Sequence, residues 1–146
     1  MSKALFYLEP HPIRNSMDHF ADVVDNISSI FKRNIDNKIQ IYSNTQTLDR
    51  LAKKNFISPS TFLFPKDSEQ SFFESQLQNW TAGGMSTWVS LLDCSSSSLI
   101  NSYQKILQRL AEENNFEYIF YWGTNYAVSD FCKQNKIKAL ALELGC

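Results

Sequence analysis

Hydrophobic positions change their period several times along this chain of 146 residues. Residues 3–9, KALFYLE, form an apolar run rich in strand formers, closed by Pro10 and Pro12. Proline ends a strand and restricts the residue before it, so the run predicts a first strand with a loop after it. Met17, Phe20, Val24, Ile27 and Phe31 then recur at steps of three and four, which draws one apolar stripe on a helix. Asn15 or Ser16 can cap that helix by accepting a free backbone N–H, and it ends near Asn34.

Residues 38–43, KIQIYS, alternate with period two and predict a second strand. Thr45 or Thr47 opens a short helix through Leu48, Leu51 and Ala52, and TFLF at 61–64, boxed by Pro59 and Pro65, predicts a third strand. The stretch 68–114 is longer than one crossover needs and predicts two or three helices. One runs near 72–80 and breaks at Gly83-Gly84, and a second covers 85–92. A third carries Leu99, Tyr103, Ile106 and Leu110, with the serine run 95–98 as loop and helix start. NFEYIFYW at 115–122 predicts a strand, followed by a turn at Gly123, a helix through Val128 and Phe131 that ends by Asn135, and a buried strand over about 137–142.

Strand and helix alternate from one end to the other, which argues for a parallel sheet with helices on its faces. The predicted fold is a single α/β domain over 1–146, Rossmann-like and three-layered, with a mostly parallel sheet of about five strands and helices on both faces. No internal repeat and no domain boundary interrupts the pattern.

Composition narrows the function classes. Hydrophobic residues make up 43% and charged residues 20%, with 11 Phe, 6 Tyr and 3 Trp, the profile of a folded globular chain. Formal net charge is -1 and no basic block occurs, which argues against nucleic acid as a partner. Cys94, Cys132 and Cys146 have no ligand spacing and read as reduced thiols, and neither a signal peptide nor a membrane-length apolar run is present, so the expected location is the cytoplasm. The sequons at Asn26 and Asn79 then read as chance matches, and no metal site or cofactor is expected.

In a parallel sheet all strand-to-helix turns lie at the carboxyl edge, where ligands bind outside a topological switch point. Three polar groups share that edge. The first turn, EPHPIRNS, offers His11, Arg14 and Asn15; the fourth, WGTNY, offers Gly123, Thr124 and Asn125; and Glu143 follows the last strand. His11 sits between two prolines, whose stiffness would hold an imidazole in place. Arg14 suits an anionic group or simply covers the helix start. The helix opened at Gly123-Thr124-Asn125 attracts anions, although every helix needs a cap for stability. Glu143 is either a strand-tip carboxylate paired with a surface lysine, or a crevice carboxylate that burial would poise for proton transfer. Trp80 and Trp88 read as core, Cys132 as core and His19 as surface. No G-x-G-x-x-G, P-loop or G-x-S-x-G pattern occurs, and no nucleophile has a base beside it.

The stretches YLEPHPIRNS and WGTNYAVSDFCKQNKIKALALELG resemble the amino-terminal half of bacterial surface-polysaccharide glycosyltransferases, those of lipopolysaccharide and capsule, with closest kinship to the retaining β-Kdo transferases. The resemblance covers the whole chain in layout and is specific at those two stretches. It implies two Rossmann-like domains with the active site between them. The amino-terminal domain shapes the side of the saccharide acceptor, and the carboxyl-terminal domain holds a CMP-sugar donor. It implies a catalytic role for Glu143, a cleft position for His11 and Arg14, and a location at the membrane periphery through partner proteins. A second domain with a catalytic aspartate, a histidine and the nucleotide site would follow; without it the chain is expected to lack transfer activity. The alternative is a non-catalytic α/β module that binds a small anion or a protein partner.

Overall fold

The computed structural model describes residues 3–8, 18–34, 36–53, 61–83, 97–122 and 125–142. The strands are β1 (Lys3–Tyr7), β2 (Lys38–Tyr42), β3 (Phe62–Leu63), β4 (Tyr118–Trp122) and β5 (Lys138–Leu142). The helices are α1 (Asp18–Phe31), α2 (Thr45–Lys53), α3 (Asp67–Gly83), α4 (Ser97–Asn114) and α5 (Tyr126–Gln134). All five strands pair in parallel, in the order β3-β2-β1-β4-β5. The predicted helix over 85–92 lies outside the described residues.

Alternation along β1 builds two cores. Ala4, Phe6 and Leu8 face one side with Ile39, Ile41 and Phe62, where Val24 of α1 and Leu48 and Leu51 of α2 cover them. Leu5 and Tyr7 face the other side with Tyr42, Ile119 and Tyr121, under Phe73 of α3, Tyr103, Ile106, Leu107 and Leu110 of α4, and Val128 and Phe131 of α5. Period two in the strands and period 3.6 in the helices therefore meet in a three-layer Rossmann-like domain. Right-handed crossovers explain the sides taken. The chain moves from β1 to β2 to β3 across one face, and α3 and α4 carry it back across the other to β4.

Two expectations need correction. β4 begins at Tyr118 rather than at residue 115, because Asn115 takes a left-handed backbone with φ 52° and α4 runs up to Asn114. β5 is not buried: it is the outer strand of the sheet, and Lys138, Ala139, Leu140 and Ala141 are all exposed. A short apolar run does not separate a central strand from an edge strand.

Candidate functional site

The register brings the predicted edge together. Tyr7 of β1 pairs with Tyr121 of β4, and Trp122 of β4 pairs with Leu142 of β5. β1, β4 and β5 are thus consecutive strands whose carboxyl ends lie side by side. β1 is followed by α1 on one face and β4 by α5 on the other, so the strand order reverses between them. That is the switch point where an open α/β sheet parts its loops.

Of the residues expected to form the site, Asn125 is described. It is buried, at 1% exposure, and its Oδ1 accepts the Ala127 N–H at 3.0 Å, capping α5. Its extended backbone, φ -84° and ψ 105°, is the ordinary conformation of a cap. The side-chain oxygen is therefore engaged in the helix start. His11, Arg14, Asn15, Gly123, Thr124 and Glu143 lie outside the described residues, as do Trp88, Cys94, Cys146 and the side chains of His19 and Trp80.

Next to β1 the same edge is closed by a polar seal. Ser43 is fully buried and its hydroxyl donates to the Leu8 carbonyl at 2.6 Å, while the Leu8 N–H donates to the Tyr42 carbonyl at 2.9 Å. Asn44, also buried, donates through Nδ2 to Gln46 Oε1 at 3.0 Å, and Gln70 Oε1 accepts the Thr45 N–H at 3.0 Å. These bonds satisfy the backbone where β2 turns into α2.

Sequence reasoning missed a cluster behind β2. Glu69 of α3 accepts from Arg109 Nε at 2.5 Å and Nη2 at 2.6 Å, from the Tyr42 hydroxyl at 2.9 Å and from the Lys66 N–H at 3.1 Å. Arg109 Nη1 also reaches Glu113 at 2.7 Å. Burial works to raise the Glu69 pKa, but the Arg109 hydrogen bonds, the Lys66 N–H and Tyr42 outweigh it and hold the carboxyl below its usual range. Burial, then the Glu69 charge, raises the Tyr42 phenol well above its usual value. Glu69, Arg109 and Tyr42 are far apart in sequence, and no spacing rule links them.

An open depression of about 320 Å³ lies beside this cluster, between α3 and α4, lined by Lys66, Ser68, Glu69, Phe72, Ser102, Lys105, Ile106 and Arg109. Its carboxylate is already held by three neighbours, so we read the cluster as a clamp between helices. Among the described residues no group of His, Cys, Asp and Glu side chains could hold a metal ion, and no helix is long and apolar enough to cross a membrane. Cys132 is buried at 1% exposure, in the core as expected.

No family model and no curated protein matches this chain.

Proposed function

We propose that this chain binds a small polar ligand at the carboxyl edge of its sheet, over the ends of β1 and β4. One observation carries the reading: β1 and β4 are register-paired neighbours, Tyr7 to Tyr121, and their onward helices α1 and α5 lie on opposite faces. Backbones that diverge in this way leave a crevice at the strand ends. The sequence supplies His11, Arg14, Gly123, Thr124 and Glu143 directly after the strands that end there.

Within that reading, the resemblance of the two quoted stretches favours the acceptor-side domain of a sugar-nucleotide-dependent glycosyltransferase of bacterial surface polysaccharide. The ligand is then a saccharide acceptor. His11 and Arg14 bind its polar and anionic groups, and Glu143 takes the proton from the attacking hydroxyl. The CMP-sugar donor belongs to a second domain. Asn125 contributes by holding the start of α5, its side chain being committed to the cap.

Calorimetric titration with acidic saccharides, CMP and simple anions tests this. Saturable heat from a saccharide, lost in His11→Ala and Glu143→Gln variants that melt like the parent, supports the acceptor-side domain. Binding of anions with no response to saccharides favours the non-catalytic module instead. No response to any of them overturns the small-ligand site and leaves a protein partner as the reading.

A further inference from the structure

The opposite edge of the sheet carries a charge arrangement that folding does not explain. Lys3 opens β1 and Lys38 opens β2, and the two are register partners on adjacent strands. Like charges side by side on one sheet face repel, and a sequence chosen for the sheet alone would avoid the pairing. Lys32, just past α1, joins them around one depression of about 310 Å³, lined also by Asn37, Ile39, Gln40 and Thr61. Among the described residues no carboxylate lines this depression. Among the described residues none of the three lysines forms an ion pair, the bridges present being those of Lys66 and Arg109. Glu117, which donates its backbone N–H to the Lys3 carbonyl, is the next residue across the sheet and makes no ion pair with Lys3.

One lining residue also carries an unpartnered atom, enclosed in the fold and not open to the depression. Gln40 Oε1 is buried without a hydrogen-bond partner among the described residues. An acceptor stripped of water and given no donor costs stability until something donates to it. Asn37 is not free in this sense, because its Nδ2 donates to the Phe31 carbonyl at 3.0 Å.

We propose that this depression at the amino edge binds a small oligophosphate anion, or a phosphate ester, through Lys3, Lys32 and Lys38. Three ammonium groups match an anion of two or more charges. The volume, about 310 Å³, admits pyrophosphate or a monosaccharide phosphate and stands at the small end of ligand sites. Nucleic acid would need a longer basic track than one such depression provides. The site is independent of the one proposed at the carboxyl edge.

Backbone amide mapping with inorganic pyrophosphate, at fixed ionic strength, tests the proposal. The expected result is saturable movement centred on Lys3, Asn37, Lys38 and Gln40, weakened about tenfold by exchanging all three lysines for glutamine. If that triple variant fails to fold, the single Lys32→Gln exchange on the exposed end of α1 decides, with about threefold weaker binding expected. Movement spread over lysines across the molecule, equal responses to sulfate and pyrophosphate, or unchanged affinity in the variants would overturn it. Tighter binding of a short RNA by the same three lysines would overturn the small-anion assignment.

Discussion

Arg109 holds both oxygens of Glu69, at 2.5 and 2.6 Å, and so fastens α4 to α3 across 40 positions of the chain. Both side chains are largely buried, at 17% and 8% exposure, and the fork of the guanidinium matches the carboxylate. Removing Glu69 leaves the largely buried Arg109 with only the more exposed Glu113 as a partner, and removing Arg109 leaves the buried Glu69 charge without a cation. Glu69→Ala is expected to cost about 3 kcal/mol, and Glu69→Leu combined with Arg109→Met to recover most of that loss. Denaturant melts of the two single variants and the pair measure the coupling.

The same carboxylate gives the fold an acid limit. Glu69 ionises below its usual range when folded, so the unfolded chain takes up the proton more readily. Its contribution is complete above the unfolded value near 4.5 and disappears as pH falls through the folded value. Unfolding free energy measured from pH 7 downward is expected to fall in that acid range, and Glu69→Gln, already weaker at neutrality, to fall less steeply.

Asn125 is expected to act through the helix it caps. Asn125→Ala removes the acceptor for the Ala127 N–H and should cost about 1 kcal/mol, whereas Asn125→Asp keeps an acceptor there and should cost little. Thermal melts compare the three proteins. If Asn125→Ala lost ligand binding with no loss of stability, the capping role would be wrong.

Most of the fold was legible because its signals are local. The stripe from Val24 to Phe31, the alternation of KIQIY and the capping asparagine before Tyr126 each announce an element within a few residues. Their alternation carried the parallel sheet and its two faces. The clamp of Glu69, Arg109 and Tyr42 was not legible, because α3, α4 and β2 meet only once the sheet is assembled. The exposure of β5 was missed for a related reason: KALAL has the composition of a core strand, and only the strand order shows that it forms an edge. For the candidate site, the meeting of the β1, β4 and β5 ends follows from the strand order, while the use of Asn125 as a cap shows how one polar residue fits two readings.

That edge makes a further expectation. Leu140 is 44% exposed on the outer strand, so Leu140→Lys should change stability by less than about 0.5 kcal/mol. An apolar edge strand invites pairing with another chain, and a lysine there opposes it. Light scattering at high concentration is expected to show less self-association in the variant than in the parent.

Cys132 reports the closed core. It is 1% exposed, and burial pushes its thiol up to about 12. Peptide-resolved alkylation at pH 8 is expected to label Cys132 only as fast as the fold opens, with the rate rising steeply in denaturant. Fast labelling in native buffer would mean that the packing of α5 on the sheet is looser than described.

The proposed ligand site lies over the carboxyl ends of β1 and β4. Amide mapping of the isotope-labelled chain with an acidic saccharide tests it most directly. The resonances that move are expected to cluster at the carboxyl ends of the strands, on Leu8, Trp122, Asn125, Tyr126 and Leu142. Movement confined to the depression between α3 and α4 or to the amino edge, with those five unmoved, would contradict it.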